Sequence, residues 1–235
     1  MNAKSTICCL SGNALKIIAM ISMLIDHIGY YLFPRVLVLR AIGRIAFPIF
    51  AFMIAEGCAH TRNRKRYFWM IAGLGGFCQV FTLLLKHSLH LNVLITFSCS
   101  ISIVYCIDAW IRAERKRTRI LSSIALAVIV FATIVFPRLF PQYGYTFEYD
   151  FLGILLPVAL YYLPKKSYRL IYLAATIVAM ILQWGVWVRP FGLLAIPLLA
   201  LYSGKRGKAQ LKYLFYIFYP VHLAVLYLVA VFFLA

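Results

Sequence analysis

Charge is scarce in this 235-residue chain, and acid is almost missing: 13% of residues are charged and only six are Asp or Glu. Ordinary soluble domains carry about twice that share of charge, so water is not the main solvent here. No small-residue cleavage pattern follows a short apolar core near the N-terminus, so the first apolar run reads as a retained helix and not a removed signal. The six cysteines, Cys8, Cys9, Cys58, Cys78, Cys99 and Cys106, have no metal-binding spacing and fall in or beside apolar runs or on the expected cytoplasmic side. That argues against both a metal site and a disulfide framework. Low-complexity linkers, a soluble domain and a repeat of fixed period are also missing, which leaves one transmembrane domain over residues 1–235 as the expectation.

What is present is apolar: 64% of residues are hydrophobic and mean hydropathy is +0.90. Runs long enough to cross about 30 Å of hydrocarbon as helix cover residues 13–33, 36–59, 67–86 and 91–111, and further runs begin near Ile120, Phe151, Arg169, Pro190 and Leu211. The expected fold is an all-α integral membrane protein, a polytopic bundle of about nine transmembrane helices, with eight to ten allowed by the short run after Pro190.

The formal charge of +18 lies in short bursts between these runs, which is a topology signal and not a nucleic-acid-binding face. Arg62, Arg64, Lys65 and Arg66 form one burst, and Arg112, Arg115, Lys116, Arg117 and Arg119 the next. Lys165, Lys166 and Arg169 follow, then Lys205, Arg206, Lys208 and Lys212. Every second loop is basic, so the expected location is the cytoplasmic (inner) membrane, multi-pass, with the N-terminus and Lys4 in the cytoplasm. The longest outward loop, Arg138 to Asp150, holds five aromatics and two acids, and an interfacial aromatic belt is its plainest reading.

Ionisable groups in hydrocarbon are costly and mark candidate functional sites. Asp26 and His27 lie inside the first run, Arg40, Arg44 and Glu56 in the second, and His222 in the middle of the last. At 1.5 Å per residue, His27 is about 18 Å and His222 about 15 Å above the inner boundary, one shared level. Arg44 is about 22 Å up, Arg40 is higher and is expected to snorkel outward, and Glu56 is only about 5 Å up, at a cytoplasmic entrance.

Adjacent helical residues diverge by about 100°, so Asp26 and His27 need different partners. Asp26 shares a face with Ala19, Ser22 and Gly29, small residues that let a helix approach, and Arg44 is its natural counter-ion. On the last run Tyr216, Tyr219 and His222 recur every three residues, while Pro220 and Pro48 deprive the Tyr216 and Arg44 carbonyls of their helical donors. Asn92, Thr96 and Ser100 form an i,i+4 polar stripe best suited to helix packing. Gln79 and Gln183 stand isolated.

Four blocks carry a family resemblance: LKIIAMISMLIDHI (15–28), GRIAFPIFAF (43–52), NVLITF (92–97) and FYPVHLAVL (218–226). With them the chain resembles the TraX family, membrane acetylases of a conjugative pilin N-terminus. The resemblance implies transfer of an acetyl group from cytoplasmic acetyl-CoA, as co-substrate, to an acceptor presented at the membrane. It places the functional residues at Asp26, His27, Arg44 and His222. The chain has more basic loops than the pilin acetylase and lacks its long polar N-terminal extension, so the acceptor class widens to a membrane-presented peptide, a pilin-like chain or a small amine or hydroxyl.

Acyl transfer needs a base for the acceptor and a positive group where the oxyanion develops. His27 fits the base, with His222 as second base or as the acid for the departing thiolate. Arg44 is suited to polarise the carbonyl while Asp26 orients it, and Tyr219 to add a hydrogen bond. Arg62, Arg64, Lys65 and Arg66, beside Glu56, are the candidate CoA-binding group, holding phosphates by charge. No metal is expected. The competing readings are a proton-coupled transporter using buried Asp, Glu and His, a haem carrier with His27 and His222 as axial ligands, and a structural scaffold.

Overall fold

The computed structural model describes residues 9–185, 189–209 and 211–234, so Lys4 and Cys8 lie outside the described residues. Its helices are α1 (Gly12–Tyr31), α2 (Leu37–Gly43), α3 (Ala46–His60), α4 (Arg64–Lys86), α5 (Val93–Ile111), α6 (Lys116–Val130), α7 (Phe136–Leu139), α8 (Asp150–Tyr162), α9 (Lys166–Trp184), α10 (Ala195–Ala200) and α11 (Lys212–Leu234). A helix stands at each of the nine expected places. Among the described residues six stretches are long and apolar enough to cross a membrane: Gly12–Tyr31, Leu37–His60, Arg64–Leu85, Val93–Ile111, Lys116–Leu139 and Tyr213–Phe232. Asp150–Tyr162 and Arg189–Ala200 are shorter apolar helices. The protein is an all-α membrane protein. The chain divides into two compact units, Met1–Met53 with Pro164–Ala235, and Ile54–Leu163.

In the first unit, Ser11 caps α1 by accepting from the Ala14 amide at 3.2 Å. The next amides, of Gly12 and Asn13, donate to the carbonyls of Lys205 and Arg206, so a helix start that would otherwise leave orphan donors is sealed by the chain just before α11. Leu15, Ala19, Ser22, Asp26 and Gly29 fall at alternating four- and three-residue spacing and form the buried face. α1 packs on α2 and α11, with Asp26 of this face turned to α2. Gly29 is required there, since a Cβ would come within 2.8 Å of Leu39.

Between α2 and α3 the amides of Arg44 and Ile45 bond to the carbonyls of Ala41 and Ile42, tightening the turn to i→i+3. Pro48, which has no N–H for the Arg44 carbonyl, accounts for the break. Lys166, one of the basic loop residues, donates its ammonium to the carbonyls of Ala200, at 2.5 Å, and Tyr202, at 2.8 Å. It therefore caps the end of α10.

In the second unit α5 is the central helix, packed against α4, α6 and α8. The polar stripe on α5 stitches the contacts with α4 and α8. Asn92 caps α5 through the amides of Leu94 and Ile95 and donates to the Gly75 carbonyl at 2.9 Å and to Gln79 at 3.1 Å. Thr96 donates to the Glu148 carbonyl, and Ser100 to that of Ile154. Gln79 is thus not isolated. A π-helical turn, Phe131–Val135, joins α6 to α7. The loop that follows is tied down by a parallel pair of short strands, β1 (His90–Leu91) and β2 (Thr146–Phe147).

Candidate functional site

Asp26 and His27, successive residues of α1, do point at different helices. Asp26 meets the α2 side: Arg44 donates to both carboxylate oxygens, at 2.7 and 2.9 Å, and Arg40 donates to Oδ2 at 2.7 Å and to the Asp26 carbonyl at 3.2 Å. Arg44 is the expected partner. Arg40 does not snorkel outward; one helical turn before Arg44 it shares that helix face, and a carboxylate in a poorly solvated site holds it more strongly than the interface would. Its guanidinium also lies over the Tyr30 ring, 5.2 Å from the centroid. Gly43 makes the approach possible, because a Cβ there would overlap the Asp26 side chain.

Asp26 is the sole acidic residue of the first unit. Two guanidinium groups against one carboxylate leave the cluster with one net positive charge.

His27 faces α11. Its Nδ1 lies 2.8 Å from Nε2 of His222, the ring planes 12° apart with centroids separated by 5.0 Å. The other nitrogen of His222, Nδ1, is 2.7 Å from the Phe218 carbonyl oxygen. A carbonyl only accepts, so His222 carries its proton on Nδ1 and, when neutral, offers a lone pair at Nε2. His27 must then donate from Nδ1, which puts its own lone pair on Nε2. The chain of bonds selects the tautomer of both rings. His222 is buried, stacked on Phe218 at 4.6 Å and met edge-on by the buried ring of Tyr219 at 5.6 Å. The histidines expected at one level are therefore in direct contact.

The candidate CoA-binding residues belong to the second unit. Arg62, Lys65 and Arg66 are exposed. Arg64 is bound to Asp108 at 2.6 Å. Glu56 sits one turn before His60, whose ring nitrogen bonds the Glu56 carbonyl at 2.9 Å and lies 3.9 Å from its carboxylate. Asp108, not singled out from the sequence, is buried and also accepts from the hydroxyls of Tyr161, at 2.9 Å, and Tyr162, at 3.0 Å.

The family model described as TraX protein matches residues 11–230. The chain belongs to the TraX family. Among curated relatives it is similar to the "Probable fimbrial assembly protein FimC, serogroup H1" of Dichelobacter nodosus, 29% identical over 92% of this chain and 94% of that one. It is also similar to "Uncharacterized protein RP591" of Rickettsia prowazekii (strain Madrid E), 40% identical over 35% of this chain and 32% of that one. No solved structure matches.

Three of the four TraX-like blocks meet in the first unit, since they carry Asp26 with His27, Gly43 with Arg44, and Tyr219 with His222. Arg40 lies just outside the second block and was legible only as the i−4 neighbour of Arg44. Asp108 had a weaker signal: an acid one turn from Arg112, close to the end of an apolar run.

Proposed function

We propose that this TraX protein is a membrane-embedded acetyltransferase that moves an acetyl group from acetyl-CoA to an amine at the membrane, with a hydroxyl acceptor as the second possibility. The observation that carries the reading is the bonded chain from the Phe218 carbonyl through His222 to His27. It holds a neutral imidazole in one tautomer, as the orienting group of a catalytic triad does for its base. His27 Nε2 takes the proton of the attacking amine. The amine nitrogen bonds to the thioester carbonyl carbon, giving a tetrahedral oxyanion, which the net positive Asp26, Arg40 and Arg44 cluster stabilises. The carbon–sulfur bond then breaks, and the imidazolium returns its proton to the departing thiolate. Tyr219 packs the edge of His222 and keeps that ring in place.

The topology belongs to the same proposal: nine spans in the cytoplasmic membrane, the N-terminus inside, and the exposed Arg62 and Arg66 attracting CoA phosphates from the cytoplasm. The fimbrial name of the Dichelobacter relative favours a pilin-like or other surface-assembled peptide as acceptor.

The test measures thiol release from acetyl-CoA by purified protein in nanodiscs, with an amino-terminal peptide as acceptor. His27→Ala is expected to lose roughly 10²- to 10⁴-fold in rate, the ordinary contribution of a positioned base. Turnover within twofold of wild type in a folded variant refutes the assignment. Proton-coupled uptake in proteoliposomes without CoA would support the transporter reading instead.

A further inference from the structure

The second unit holds a cleft of about 560 Å³ among the start of α4, the end of α5 and the first turns of α6. It is broad and open to the outside, with room for a headgroup and not a buried small molecule. Arg64, Lys65 and Arg112 line one end, and Phe68, Trp69 and Leu121 line much of the rest. Asp108 is the acid of the lining; its oxygens accept from Arg64, Tyr161 and Tyr162, and Arg112 forms a looser, exposed pair with it at 3.8 Å. Three cations against one carboxylate leave the cleft two units positive. Asp108 acts there by fixing Arg64, whose guanidinium also lies 5.0 Å from the centroid of the Tyr105 ring.

We infer that this cleft binds one acidic phospholipid, its phosphate headgroup against Lys65, Arg64 and Arg112 and the upper part of an acyl chain along Trp69 and Leu121. Charge complementarity selects an anion. The apolar wall selects an amphiphile over a free phosphate or a nucleotide. Trp69 and Leu121, 69% and 56% exposed, stand on helices apolar enough to cross a membrane, so acyl chains are already their solvent. Basic pockets between transmembrane helices at the cytoplasmic face are the usual sites for anionic headgroups. The inference stands whether or not the protein transfers acetyl groups.

The experiment titrates delipidated wild-type protein in detergent with phosphatidylglycerol or phosphatidylcholine and counts bound lipids by native mass spectrometry. One phosphatidylglycerol should bind at least tenfold more tightly than phosphatidylcholine. At about fivefold per basic residue near a headgroup, the Lys65→Gln/Arg112→Gln variant should bind it roughly 25-fold more weakly. Both residues are exposed, so folding is not at stake. Arg115→Gln/Arg117→Gln removes the same charge from outside the cleft and should change binding less than twofold. Quenching of tryptophan fluorescence by a brominated phosphatidylglycerol should fall in Trp69→Phe. Equal binding of both lipids, unchanged affinity in the cleft variant, an equal loss in the control, or unchanged quenching would each overturn the assignment. Competitive displacement of the lipid by coenzyme A would overturn it too, assigning the cleft to a nucleotide phosphate.

Discussion

Replacing Asp26 by Asn keeps the shape of the side chain and removes only its charge. In the folded protein its carboxylate accepts from Arg40 once and from Arg44 twice, and the three side chains are 12%, 25% and 16% exposed. Asn can accept at one oxygen and must turn an NH₂ toward a guanidinium. Two cations are then left in a poorly solvated site with no acid elsewhere in the unit. Breaking a buried pair from one side costs about 3–5 kcal/mol, against 1 or less for an exposed pair. Residual access of the arginines to solvent puts the expectation near the lower end, about 3 kcal/mol. At 2–4 °C per kcal/mol for a chain of this length, thermal unfolding in detergent should move down by roughly 6–12 °C. Arg44→Gln and Arg40→Gln each leave Asp26 one cation, so the losses should rank Asp26→Asn, then Arg44→Gln, then Arg40→Gln. A shift under 2 °C for Asp26→Asn, or a larger loss for Arg40→Gln, would refute the charge bookkeeping.

Gly43→Ala puts a methyl group into the Asp26 side chain and should cost about 1–3 kcal/mol as an overpacked contact, seen in the same unfolding measurement. His222→Gln removes the group that sets the His27 tautomer; kcat should fall about 10- to 100-fold, as for loss of an orienting partner, while KM for acetyl-CoA holds. A proportional rise in KM would count against the positioning role. Asn92→Ala loses the two cap bonds of α5 and the bond to Gly75, at about 1–2 kcal/mol, with catalytic rate unchanged in the folded fraction.

Helix positions and angular divergence were legible in the residues, because apolar run length, the 1.5 Å rise and the 100° step are properties of the backbone itself. They were enough to separate the partners of Asp26 and His27, to name Arg44 as a counter-ion and to bring His27 and His222 to one level. The facing of helices is another matter. Arg40 joins Asp26, and Asp108 gathers Arg64 and two tyrosines from α8, because packing turns those faces together; its partner Tyr161 is 53 positions along the chain. Periodicity tells which side of a helix a residue occupies, but not which helix that side meets. The second arginine, the head-on histidine bond and the two-unit positive cleft are all consequences of that meeting, decided by side-chain packing between distant segments and therefore only by the tertiary structure.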